Sequence, residues 1–178
     1  MRRNAVKRFG VGSALLACLG VCLSGNLLNS GEKPGQKVEL RIVKHTELVK
    51  AIASHKGKVV LVDFWGLFCP PCKEKFPKIV ALHDKHRDKG LVCISVCFDD
   101  VKKQDKALEF LKENKAMFAN YLVQDPDSCQ DHWDFVALPT YLVFSRDGKL
   151  VNKFTIDPDA KAQFTIDQVQ KAVEKALK

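Results

Sequence analysis

Residues 38–42 (Val-Glu-Leu-Arg-Ile) alternate apolar and polar side chains with period two, which predicts a strand. Thr46 is placed to cap a helix running to about Ser54, with Leu48, Val49, Ile52 and Ala53 on one face. Residues 58–65 are almost continuously apolar, as in a central strand covered on both faces. A helix is expected over 70–88, a second buried strand over 91–98 and a helix over 101–115 with Leu108, Phe110 and Leu111 turned inward. A short strand is expected over 118–123. The runs 140–144 and 150–154 flank Ser145-Arg146-Asp147-Gly148, a hairpin turn signal. Thr165 and Gln168 have the spacing of a capping box that opens a last helix to Leu177. Strands alternating with helices predict one α/β domain, residues 37–178.

The N-terminus follows a different pattern. Arg2, Arg3, Lys7 and Arg8 precede an uncharged apolar run over 9–23, and Ser24, Gly25 and Asn26 follow it. A basic head, a short apolar core and a small polar exit describe an export signal, read as residues 1–25, with a polar linker over 26–36. The run is short beside the roughly 20 apolar residues that span a bilayer. Two variants of the same reading remain: Leu15-Leu16-Ala17-Cys18 loosely matches a lipobox with Cys18 lipidated, or the segment stays as an anchor.

This placement changes the meaning of the charge. The chain of 178 residues carries a net charge of +8, but four basic residues and no acid fall within 1–30. The rest holds 25 basic against 21 acidic side chains, interspersed as on a solvated surface, so a nucleic-acid partner is not indicated. With 46% hydrophobic and 28% charged residues the chain is ordinary for a globular protein.

The chemistry concentrates at Cys69-Pro70-Pro71-Cys72, where a buried strand is expected to turn into a helix. A cysteine at a helix N-terminus meets unpaired N–H groups and the positive end of the helix dipole, which favour the reactive thiolate. The second cysteine, one turn on, is within disulfide reach, and proline at the first turn removes no helical hydrogen bond. A structural zinc site would need a second ligand pair, and no other C-x-x-C or H-x-x-x-H occurs. Cys93 and Cys97 fall on one strand face about 13 Å apart, too far to bond each other, and are expected to be buried packing thiols. Cys129 falls in a loop or short helix. His83 and His86 fall late on the long helix and are expected at its surface.

The segment 62–73, Val-Asp-Phe-Trp-Gly-Leu-Phe-Cys-Pro-Pro-Cys-Lys, resembles the active-site segment of the thioredoxin superfamily, and Pro77 matches its mid-helix proline. Ala137-Leu138-Pro139-Thr140 resembles that superfamily's cis-proline loop, and residues 58–147 are most similar to its exported TlpA/ResA branch. The resemblance implies a thioredoxin-like fold with a central mixed β-sheet flanked by helices. It implies Cys69 as nucleophile, Cys72 as resolving cysteine, a cis Pro139 that sets the Leu138 backbone beside Cys69 for an extended substrate, and Asp63 as proton acceptor for Cys72. It implies no cofactor or metal; its partners are disulfide-bearing client proteins and a membrane-associated or exported electron donor. Lys75 stands where cytochrome-maturation members carry glutamate, which weakens that assignment. The expected activity is reduction or isomerisation of client disulfides outside the cytoplasm. The alternative is a Cu(I) chaperone using the same two thiols, with His132 as the candidate third ligand; a peroxidase is not indicated, because no threonine and arginine are arranged around a lone cysteine.

Overall fold

The computed structural model describes residues 37–157 and 159–178; the segment read as signal and linker lies outside them. Six strands form one sheet: β1 (Arg41–Val43), β2 (Val59–Trp65), β3 (Leu91–Cys97), β4 (Ala119–Val123), β5 (Thr140–Phe144) and β6 (Leu150–Thr155). Their order is β1-β4-β3-β2-β5-β6. The first four run parallel, while β5 is antiparallel to β2 and β6 to β5, so the sheet is mixed. Among the described residues the helices are α1 (His45–Ala53), α2 (Pro70–His86), α3 (Gln104–Glu113), α4 (Pro126–Trp133) and α5 (Ile166–Leu177).

Every residue of β2 is buried. Alternation sends its side chains to two faces, as the pleat requires. Val60, Val62 and Phe64 pack with Leu48, Ile52, Cys129 and Trp133, under α1 and α4. Leu61 and Trp65 face α2, α3 and α5, meeting Ile79 and Val169 towards one end and Cys72, Phe76 and Leu111 towards the other. Asp63 shares this second face.

Four local expectations need correction. Val38 and Leu40 are buried with Glu39 exposed, as the alternation predicts, but the β1–β4 ladder begins only at Arg41↔Tyr121. Upstream, the Glu39 carbonyl accepts from the Asn120 side chain at 3.2 Å, so a side chain replaces the ladder there. Helix α1 starts at His45 rather than after Thr46, because Glu47 takes the Lys44 N–H at 2.8 Å and Asp125 the His45 N–H at 2.7 Å. The helix expected over 101–115 is a 3₁₀ turn, Val101–Lys103, capped by Asp100, followed by α3; Leu111 is buried in it, and Leu108 and Phe110 are half-buried. His86 is buried and His83 half-buried, not at the surface, because His86 lies against α5 and the His83 ring meets Phe118, just ahead of β4, with centroids 5.1 Å apart. The His86 Nε2 lies 3.4 Å from Glu174 of α5, and burial lowers the His83 pKa.

The β5–β6 hairpin and the last helix form as read. Gly148 occupies the left-handed region at φ 81°, and Ser145 and Lys149 close the turn with a 2.9 Å backbone bond. Thr165 accepts from Gln168 N–H while the Gln168 side chain accepts from Thr165 N–H.

Candidate active site

Strand β2 ends at Trp65 and the chain reverses through Gly66-Leu67-Phe68 into α2. Cys69 N–H donates to the Gly66 carbonyl at 3.0 Å, closing that turn. Cys69 is therefore the N-cap of α2, with Pro70 and Pro71 filling positions where no helical N–H is needed. The Cys69 sulfur accepts from the Cys72 N–H at 3.3 Å, the contact that favours negative charge on this sulfur once the bond is reduced. In the structure Cys69 and Cys72 are joined in a disulfide, with their Cα atoms 5.3 Å apart. Exposure is 6% at Cys69 and 1% at Cys72, so both are largely enclosed. Cys69 alone opens into a depression of about 500 Å³, walled by Phe68, Pro71, Phe98, Val136 and Leu138. Phe68 is 61% exposed and Val136 79%, an apolar rim around the reactive sulfur.

The opposite wall is the loop before β5. The Leu138–Pro139 peptide is cis, Pro139 is buried, and Ala137 and Leu138 line the depression with Cys69. Thr140 fixes this loop by donating to the Ala137 carbonyl at 2.7 Å and meeting the Thr155 hydroxyl at 2.7 Å.

Asp63 lies in the middle of β2 on the α2 face, 1% exposed, with no protein hydrogen-bond partner for either carboxylate oxygen. Burial pushes its pKa well above the ordinary carboxylate range. It stands opposite Tyr141 in the β2–β5 register; burial first, and the Asp63 carboxylate second, raise the Tyr141 and Cys93 pKa values. The Tyr141 hydroxyl and Trp65 Nε1 are likewise buried without a protein partner. Trp65 packs against Phe110 and Phe76, with ring centroids at 4.8 and 5.3 Å.

Asp99 escaped the sequence reading as a site residue. Its side chain is fully buried, yet it accepts from Leu67 N–H at 2.5 Å, from the Cys97 thiol at 3.5 Å and from Lys103 Nζ at 3.2 Å. A signal for it existed. Parallel β2 and β3 put Trp65 beside Cys97, so the residues just past β3 must meet the loop just past β2.

The other expected ligands and thiols stand apart. His132 stacks on His45 and Trp133, each with centroids 4.7 Å away, and does not line the Cys69 depression. Among the described residues, no group of three or more His, Cys, Asp and Glu side chains could hold a metal ion. Cys93, Cys97 and Cys129 are free and buried, and burial pushes the Cys97 and Cys129 thiols up to about 12 and Cys93 well above its ordinary value.

Comparisons with known proteins agree with this picture. The Redoxin family model matches residues 21–172. A thiol-disulfide oxidoreductase ResA from Bacillus thuringiensis is 25% identical over 142 residues, 79% of this chain and 69% of that relative. The sporulation thiol-disulfide oxidoreductase A of Bacillus subtilis is 24% identical over 105 residues, 58% of this chain and 62% of its own length. Among solved structures, the thioredoxin domain of a thiol-disulfide oxidoreductase from Bacteroides vulgatus superposes with a TM-score of 0.57 at 26% identity, covering 71% of this chain and 84% of that one. A thiol:disulfide interchange protein from Bacteroides sp. gives 0.54 at 27%, covering 68% and 74%. The fold is thioredoxin-like.

Proposed function

The chain belongs to the Redoxin family, and we propose that it is an extracytoplasmic thiol–disulfide oxidoreductase that reduces or isomerises client disulfides through Cys69 and Cys72. The oxidoreductase activity is that of its ResA relatives. The observation that carries the reading is Cys69: an N-cap cysteine, disulfide-bonded one turn into α2, and the member of the pair that opens into an apolar depression.

Chemistry follows from that placement. In the reduced protein the Cys69 thiolate attacks one client sulfur, the client S–S bond breaks, and a client thiolate leaves. The product is a Cys69–client mixed disulfide. Asp63 then accepts the Cys72 proton, and the Cys72 thiolate attacks the Cys69 sulfur and expels the second client thiolate. Two electrons reach the client, one of its thiolates takes the Cys72 proton back from Asp63 and the other takes a proton from solvent, and Cys69 and Cys72 are left as a disulfide. The cis-proline loop is the surface against which an extended client segment lies, its backbone beside Leu138. A membrane-associated or exported dithiol donor returns the pair to the reduced state. Location outside the cytoplasm rests on the basic head and apolar core of residues 1–25.

Trapping tests the two cysteine roles. Cys72→Ser leaves an attacking thiolate with no resolving partner, so mixed disulfides with clients accumulate on non-reducing gels, while Cys69→Ser traps none. Equal trapping by both variants refutes the assignment of the nucleophile. Cu(I) titration of the reduced wild type separates the chaperone alternative, because stoichiometric tight Cu(I) binding without client trapping is the pattern of a metal carrier.

A further inference from the structure

We infer that Asp99 is the positioning residue that latches the Gly66–Phe68 turn and so holds Cys69 in line for attack, an inference that rests on Cys69 being the attacking cysteine. A turn between a strand and a helix leaves its backbone N–H groups without ladder or helical partners. Here the Leu67 N–H, two residues before the nucleophile, is taken by Asp99 Oδ2 at 2.5 Å, across 32 residues of chain. That same oxygen lies 3.5 Å from the Cys97 sulfur, and the other oxygen is 3.2 Å from Lys103 Nζ. Lys103 comes from the first turn past β3 and is 51% exposed, so it covers the carboxylate from the solvent side and balances its charge.

The latch joins the ends of two parallel strands. Trp65 accepts from Phe98 N–H at 2.9 Å, and Asp99 reaches one residue further to the turn itself. Cys69 itself is tied to α2, its sulfur and carbonyl accepting from the Cys72 and Lys73 N–H groups, while the turn before it is closed by the Cys69 N–H to Gly66 contact and anchored to β3's end by Asp99. The contrast with Asp63 is instructive. Both carboxylates are buried, Asp63 within β2 and Asp99 just past β3, but Asp63 has no protein partner and Asp99 has three. An unpartnered acid suits proton exchange, whereas one saturated by an amide, a thiol and an ammonium is committed to holding its neighbours. Thiol–disulfide exchange needs three sulfurs in line, so small shifts of Cys69 are expected to slow it strongly.

Two measurements test the latch. In amide hydrogen exchange of the full chain, Leu67 is expected to be protected to the degree of the β2 amides, and exchange at the free-peptide rate overturns the proposal without any variant. In kinetics, Asp99→Ala should lower the rate of mixed-disulfide formation at Cys69 by about 10-fold or more, while Asp99→Asn, which keeps an acceptor for Leu67, should stay within about threefold of wild type. Equal loss in Asp99→Ala and Asp99→Asn, or no loss in either, overturns it. Alkylation of Cys69 by iodoacetamide at several pH values, which requires no client, reports its thiolate reactivity directly. It therefore distinguishes failure of the latch from failure of the oxidoreductase reading.

Discussion

Replacing Asp63 by asparagine separates two effects that a structural carboxyl would keep together. The side chain is 1% exposed, makes no protein hydrogen bond and has its pKa raised well above the ordinary range by burial alone. Below about pH 3.9, the unfolded-state pKa, folded and unfolded chains both hold the proton and Asp63 adds no pH dependence. As pH rises from there to the folded pKa, the unfolded chain releases its proton while the folded chain keeps it. Stability therefore falls across that window by about 1.4 kcal/mol per pH unit, and is level above it. Asparagine has the same shape and cannot ionise, so Asp63→Asn should abolish the window and be the more stable protein at pH 7. The gain is about 1.4 kcal/mol for every pH unit by which burial raises the pKa, and each kcal/mol is worth about 4 °C in Tm for a domain of this size. Catalysis should move the other way. Loss of the proton acceptor should slow resolution of a Cys69 mixed disulfide by about 10²-fold near neutral pH. Thermal melts of the oxidised protein from pH 3 to 8 read the first effect, and stopped-flow release of the coloured thiolate from an Ellman adduct at Cys69 reads the second. A lower Tm at pH 7 together with an unchanged rate of resolution refutes the reasoning, and makes Asp63 a structural acid.

Two further outcomes follow from burial and from the N-terminal pattern. In the native reduced protein at pH 8, alkylation followed by mass spectrometry should label Cys69, while Cys93, Cys97 and Cys129, whose pKa values burial has raised, stay unlabelled until the fold is denatured; rapid labelling of Cys129 would contradict this. A fusion of residues 1–30 to a reporter should be exported, and retention in the cytoplasm refutes the location. Incorporation of labelled fatty acid that Cys18→Ser abolishes selects the lipidated variant.

What could be read in advance follows a physical line. The β2 run, the hairpin at Gly148 and the Thr165 capping box are local: their burial, turn and cap are set by residues within a few positions, and the structure forms them within a residue or two of expectation. Features decided by partners distant in sequence were not legible. Thr46 looked like a cap until Asp125, 80 residues away, supplied an acceptor for His45. His83 and His86 looked like surface residues because a helix sequence shows which positions share a face, not which neighbour covers it; Phe118 covers the first and α5 the second.

The same line runs through the active site. Cys69, Cys72 and the proline spacing form a motif readable in four residues, and cover the part of the chemistry that depends on a helix N-terminus. The part that depends on the sheet is not contiguous. Asp63 sits inside an apolar run and enters the site only through the family resemblance, while nothing contiguous in the sequence marks Asp99. The parallel pairing of β2 with β3 is what separates them. It buries Asp63, paired with Ser95 in mid-strand, without a hydrogen-bond partner, and brings Asp99, just past the last pair, to the Leu67 N–H in the turn before Cys69. Two acids of the same type thus acquire opposite chemistry from a displacement of four residues along a strand pair: one is left poor in hydrogen bonds and hard to ionise, the other is fully partnered.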